Sequence, residues 1–384
     1  MISVEELLQQ LVERGGSDLH VTAGAPPKIR IDGKLIDTEH AVLDPETTQK
    51  LIYSILDNTQ IARFEKDLEL DMSFGIGGLG RFRTNVFMQR GAVGAVLRVI
   101  PYEIKGFRDL GLPEDLCAQI CATPKGLVLV TGSTGSGKST TLAAMVDHVN
   151  RHRSEHIVTI EDPIEFVHKN KSCLVNQREV GSDTHGFKEA LRSVLRQDPD
   201  VVLVGEMRDM ETIEAALTLA ETGHLTFGTL HTSDCVQTMN RIVDVFPAYQ
   251  QQQIRTVLSF VVQAVFCQQL LPRKDGRGRV MAAEIMIANS AVKSLIREDK
   301  AHQIYSIIQT GGKYGMRTMN QSLFNLVQKH LVDYEDAKER STDVEDFQRT
   351  FQSAGVNRGG ITPRTGPGAS KAGPRPGGGA ARRR

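Results

Sequence analysis

The chain has 384 residues, 40% hydrophobic and 24% charged, with 46 basic and 46 acidic side chains. That length accommodates about two domains, and the balance of apolar and charged residues excludes a wholly disordered chain. No apolar run reaches the ~18 residues that a membrane span needs, and the opening "MISVEELLQQLVERGG" is an acidic amphipathic helix without a signal-peptide core, so the expectation is a cytoplasmic protein.

Residues 1–100 read as a small α+β domain. After the first helix, "SDLHV", "PKIRIDGKL", "ELDMSFGI" and "GRFRTNVFMQRGAVGAVLRVI" show strand-type alternation or β-branched and aromatic enrichment. Between them "DPETTQKLIYSILDNTQIARFEKD" has helical spacing, with Asp44 as N-cap ahead of Pro45. Glycine, proline and charge then mark a linker over 101–115.

From residue 116 to 353 short apolar strands alternate with helices. "GLVLVTG", "EHIVTIEDP", "PDVVLVGEM" and "HLTFGTLHT" lack alternation, which predicts a parallel sheet covered on both faces. The helices between them include "STTLAAMVDHVNR", "FKEALRSVLRQ" and "METIEAALTLAETG". Such βα order places a nucleotide at the carboxyl ends of the strands. Toward the end, "AYQQQQIRTVLSFVVQAVFCQQLL" and "TMNQSLFNLVQKHLV" read as helical. Cys117, Cys121, Cys173, Cys235 and Cys267 are scattered without a CxxC pair, the usage of buried thiols in a reducing compartment. The last stretch, 354–384, carries seven basic residues and no acidic one, so 1–353 must carry −7. Its glycine and proline content and lack of bulky apolar side chains predict disorder.

The chemistry concentrates in four places. "GSTGSGKS", Gly132 to Ser139, fits the GxxxxGK[ST] pattern between an apolar strand and a helix. Backbone amides of Gly132, Ser133, Thr134, Gly135, Ser136 and Gly137 can turn inward on phosphates. Lys138 supplies charge to the β- and γ-phosphates, Ser139 can ligate Mg2+, and Thr140 begins the helix behind them. Hydrolysis of ATP also needs a held metal and a group that positions water. Strand ends offer Glu161 and Asp162 in "VTIEDPIEF", and Glu206 in "VVLVGEMRD", an atypical Walker B acid. His224 and His231 bracket the fourth strand, and His231, near Thr229 and Thr232, is placed to hydrogen-bond a γ-phosphate or report its loss.

In that order, "GSTGSGKST", "TIEDPIEFVH", "LVGEMRDMETIEAALTLAETGH" and "GTLHTSD" resemble the phosphate loop, Asp box, Walker B element and His box of the secretion ATPase superfamily. "SDLHVTAGAPPKIRIDGKL" is similar to that superfamily's N-terminal domain. Within the superfamily the chain resembles the PilT-type type IV pilus retraction ATPases over residues 1 to about 345. "NSAVKSLIRE" resembles the retraction signature AIRNLIRE, with Val292, Lys293 and Ser294 replacing its second to fourth letters.

The resemblance implies an α/β chain with a PAS-like N-terminal α+β domain, a RecA-like P-loop ATPase domain and a homohexameric ring. It implies ATP and Mg2+ between the two domains, Glu206 and Ser139 at the metal, Glu161 activating water, and Arg81 and Arg83 of "GRFRTNVF", with Arg98 less directly, as γ-phosphate arginines. Implied partners are a PilC-like inner-membrane platform protein and a paralogous retraction ATPase, with the motor at the membrane base of the pilus machine. The alternatives are an accessory or assembly-side ATPase, a nucleic-acid translocase on the same core, or a ring that binds nucleotide without turnover. No nucleic-acid partner is expected, because 1–353 is acidic and has no basic stripe interleaved with aromatics.

Overall fold

The computed structural model describes residues 2–31, 33–100 and 103–353; the basic tail lies outside the described residues. Helix α1 (Val4–Glu13) opens on a capping box between Ser3 and Glu6. It is followed by β1 (Asp18–Thr22), β2 (Lys28–Ile31), β3 (Lys34–Asp37), α2 (Pro45–Tyr53), α3 (Asn58–Asp67), β4 (Glu69–Ile76), β5 (Gly80–Gln89) and β6 (Ala92–Ile100). The single helical span expected over 44–67 is two helices. Asp44 caps the first, and Asp57 forms a capping box with Gln60 that starts the second. The strands make one antiparallel sheet in the order β3-β2-β1-β6-β5-β4. Leu7, Leu8, Leu11, Ile52 and Phe64 from the helices pack on its apolar face with Leu19, Phe82 and Val86.

The second sheet is larger. After α4 (Glu114–Cys121) come β7 (Gly126–Thr131), α5 (Lys138–His152), β8 (His156–Glu161), β9 (Leu174–Glu179), α6 (Phe187–Val194), β10 (Val201–Val204), α7 (Met210–Glu221), β11 (Leu225–Leu230), α8 (Cys235–Asp244), α9 (Ala248–Val261), β12 (Val262–Pro272) and β13 (Arg279–Ile287). Its order is β13-β12-β7-β11-β10-β8-β9, parallel throughout except for β13 on the edge. The wholly apolar strands have a direct cause. Val128 and Val130 pack against α4 and α5, while Leu127 and Leu129 pack into the opposite core built from α6, α7, α8 and α9. Both faces are dry, so alternation has no solvent side to report.

Helices α10 (Ser290–Arg297), α11 (Ile304–Thr310), α12 (Met319–Gln328), α13 (Tyr334–Glu339) and α14 (Val344–Ser353) complete the described chain. Asn289 caps α10, which buries Val292 and Ile296 and leaves Leu295 partly buried.

Two expectations change. The stretch from Ala248 to Leu271 is a helix only to Val261; Val262 onward is a strand paired with β7 and β13. "VQAVFCQQLL" is apolar on both sides because it lies inside the sheet, and a short run of that kind has no period to tell strand from helix. Strands β9 and β13 were also not read from the sequence; β9 is mostly polar because it forms the other edge.

The five thiols are free and buried. Cys235 and Cys267 lie Sγ to Sγ at 3.6 Å, with Thr131 Oγ1 donating to Cys267 Sγ at 3.0 Å. Glu284 beside them accepts the amides of Cys235 and Met319. Burial pushes the Cys235 thiol and the Glu284 carboxyl up, which favours their neutral forms in this core.

Phe266 is fully buried in β12. Phe266→Ala should destabilise the protein by about 3–5 kcal/mol, read as a lower thermal midpoint, because the sheet interior cannot collapse around the void. An exposed helical Phe would cost almost nothing.

Candidate functional site

Four strand ends, β7, β8, β10 and β11, meet around a cavity of about 540 Å³ lined by residues that include Lys138, Ser139, Glu161, Glu206 and His231. The loop from Gly132 to Gly137 leaves β7 and enters α5. Gly132 sits at φ +140°, and a Cβ there would lie 2.4 Å from the Gln268 carbonyl oxygen and 2.6 Å from Ser136 Oγ. No other residue fits that position. Gly135 and Gly137 also take positive φ, which turns the chain back to start α5. The Lys138 ammonium donates to the carbonyls of Gly132 at 2.8 Å and Ser133 at 3.0 Å, holding the loop closed on itself. Burial lowers the Lys138 pKa, and the charges of Glu206 and Glu165 oppose that. Ser136 Oγ is buried and has no hydrogen-bond partner among the described residues.

The two glutamates stand in opposite environments. Glu161, the last residue of β8, is 8% exposed. Burial raises its pKa, partly countered by hydrogen bonds from Thr159, Gln177 and the Glu165 amide. Glu206, just beyond β10, is drawn the other way. Its burial alone would raise its pKa, but Arg208, His231 and Lys138 together bring it below the usual value. Arg208 Nε is 2.5 Å and His231 Nε2 3.0 Å from Glu206 Oε1. Gly205 makes this neighbourhood possible: a Cβ on it would lie 3.0 Å from the Ile160 carbonyl oxygen and 3.1 Å from Glu161 Cα. Thr229 Oγ1 donates to the Gly205 carbonyl at 2.5 Å, tying β11 to the same turn.

The structure therefore brings Lys138, Ser139, Thr140, Glu161, Glu206 and His231 to one cavity, with Thr134, Gly135 and Gly137 of the loop. Gly132, Ser133 and Ser136 form the loop behind it. The three arginines separate. Phe82 points into the N-terminal core, so Arg81 and Arg83 share the other face of β5. Arg83 lines the cavity. Arg81 instead donates to Ser73 Oγ at 2.6 Å and Glu179 Oε2 at 3.3 Å, and Ser73 donates to Glu179 Oε1 at 2.6 Å. Arg98 is held by Asp18 at 2.7 Å. His224 caps the far end of β11 through the Leu219 carbonyl.

Sequence reading missed Arg208, Glu165, His168 and Arg279, all of which line the cavity. Arg208 carried a local signal, two residues past Glu206 in "GEMRD". Arg279 carried none, because it arrives on β13, an unread strand.

Residues 1–339 match the family model described as type II/IV secretion system protein. The chain is 52% identical over 346 residues to the type IV pilus retraction ATPase PilT of Pseudomonas aeruginosa, spanning 90% of this chain and 100% of that protein. It is 39% identical over 344 residues to the type IV pilus ATPase PilU of the same organism, spanning 90% of each. The crystal structure of the pilus retraction motor PilT with bound ADP superimposes with a TM-score of 0.85 at 51% identity, covering 91% of this chain and 100% of that one.

The raised pKa of Glu161 has a stability consequence. An acid whose folded pKa lies above its unfolded value of 4.5 destabilises the fold progressively as pH rises from that value through the folded pKa, and fully above it. Glu161→Gln keeps the shape without the charge. It should raise the thermal midpoint at neutral pH, with the gain fading as the medium is acidified toward the unfolded pKa.

Proposed function

This chain belongs to the type II/IV secretion system protein family, and on that premise we propose that it is a hexameric ATPase motor that powers retraction of type IV pili. The observation that carries the reading is the single cavity that gathers a glycine phosphate loop, Lys138, two glutamates of opposite pKa tendency and His231. The 52% identity to PilT against 39% to PilU supports the main retraction role over an accessory one.

In this reading Lys138 and the loop amides bind the phosphates of ATP. The donor set suits Mg2+: the Ser139 hydroxyl and the ionised Glu206 carboxylate are hard oxygen ligands that line the same cavity. When bound, the ion would neutralise charge on the transferring phosphoryl group. Glu161, less acidic than an exposed glutamate, orients and deprotonates the attacking water. His231 contacts Glu206, so loss of the γ-phosphate would be felt at the start of α8, a few residues on. Arg83 brings a cation from the N-terminal sheet, linking nucleotide state to the position of residues 1–100 against 116–353. The motor would act from the cytoplasmic side on an inner-membrane platform protein. Among the described residues no helix is long and apolar enough to cross a membrane.

Cells lacking the protein, and cells complemented with Lys138→Ala, should carry excess surface pili by electron microscopy and lose twitching. Bald cells would make it an assembly motor, and an unchanged count an accessory one or a motor for a different cargo. In purified protein Glu206→Gln should retain ATP binding with little hydrolysis. Disrupting the surface around Leu295 to Glu298 on α10 should spare hydrolysis and abolish retraction; parallel loss of both would reduce that helix to packing.

A further inference from the structure

The two carboxylate oxygens of Glu161 are not equivalent. Oε1 accepts Thr159 Oγ1 at 2.7 Å and Gln177 Nε2 at 3.2 Å. Among the described residues Oε2 accepts only the Glu165 amide, at 3.4 Å. The pairing follows from the sheet. Thr159 lies two residues before Glu161 on β8 and so shares its face, and it sits directly opposite Gln177 in the parallel β8–β9 register. Thr159 is fully buried.

The amide of Gln177 is oriented without ambiguity. Its Oε1 accepts the backbone N–H of His168 at 2.7 Å, and a backbone N–H can only donate. The other end must therefore be the NH₂ group, which bonds both Glu161 Oε1 and the Phe166 carbonyl at 2.8 Å. Gln177 thus pins the loop after β8 at two points while presenting a fixed donor to Glu161.

We infer that Thr159 and Gln177 are positioning residues that occupy Oε1 and leave Oε2 as the atom that receives the proton. This rests on the reading of Glu161 as the group that activates water. In the step, the water oxygen bonds to the γ-phosphorus, the bond from that phosphorus to the β-phosphate oxygen of ADP breaks, and the water proton passes to Glu161 Oε2. Hydrogen bonds from Thr159 and Gln177 favour the ionised carboxylate, whereas burial favours the protonated one. The two donors thereby oppose the effect of burial on Glu161.

The test is single-turnover ATP cleavage by the intact assembly as a function of pH, with ATP affinity measured in parallel. Thr159→Val keeps shape and burial but removes the donor. Its acid limb should move about one pH unit upward, with the high-pH plateau and ATP affinity near those of the unsubstituted protein. Gln177→Met should move the limb in the same direction by less, since its bond is longer. Thr159→Ser restores the hydroxyl and should return the limb to its original place. An unmoved limb with cleavage reduced equally at every pH would overturn the inference and leave both residues as packing, as would failure of Thr159→Ser to rescue. Glu161→Gln separates the two levels: if it cleaves ATP at the ordinary rate, the role of Glu161 itself is wrong, whereas an inactive Glu161→Gln beside an unmoved Thr159→Val limb sinks only the positioning.

Discussion

A parallel sheet buried on both faces can place polar chemistry only at the ends of its strands. Interior positions of β7, β8, β10 and β11 are almost wholly apolar and fully covered, with Val128 and Leu129 facing opposite cores. Buried Thr159 and Thr226 are hydroxyl exceptions. Four ionisable groups of the candidate site sit at or just beyond a carboxyl end, Lys138 after β7, Glu161 at the end of β8, Glu206 after β10 and His231 after β11, whereas Arg83 and Arg279 reach the cavity from β5 and from the start of β13. That geometry follows from burial and from the shared direction of the strands. Two glycines then set how tightly the ends converge. Gly132 leaves room for the Gln268 carbonyl, and Gly205 for the backbone of Glu161.

The convergence creates an electrostatic division. Glu206 lies amid Arg208, His231 and Lys138 and is held in its charged form. Glu161, at the buried side of the same cavity, has only neutral donors at hydrogen-bonding distance among the described residues and is pushed toward the protonated form. Two carboxylates whose environments drive their affinities for protons apart can divide the work, one holding a cation and the other exchanging a proton. Neither environment comes from a single element. The groups around Glu206 come from α5 and from the loops after β10 and β11, and the donors to Glu161 from β8, β9 and the loop between them.

The N-terminal sheet reaches the ATPase unit through β4 and β5. Ser73 and Arg81 converge on Glu179 at the end of β9, a carboxylate only 3% exposed, and Arg83 two residues on faces the cavity. One strand therefore carries both an anchor to the second sheet and a cation directed at the site. Movement of the N-terminal sheet relative to β9 would change the anchor and the cation together, which is the kind of linkage a nucleotide-driven domain motion requires.

The sequence alone determined the glycine-rich loop from Gly132 to Ser139, its strand–loop–helix setting, the acids after apolar strands and the alternating face of "GRFR", since each is a local pattern whose spacing maps onto one element. Only the tertiary structure decided that Arg83 and not Arg81 lines the cavity, because the difference is made by Glu179, distant in sequence and contributed by an unread edge strand. The same holds for β12, where a run buried on both faces carries no period, and for Thr159 and Gln177, whose relation to Glu161 exists through the β8–β9 register. Local periodicity reports which way a side chain points along its own element. What it meets there is set by strand pairing between segments far apart in the chain.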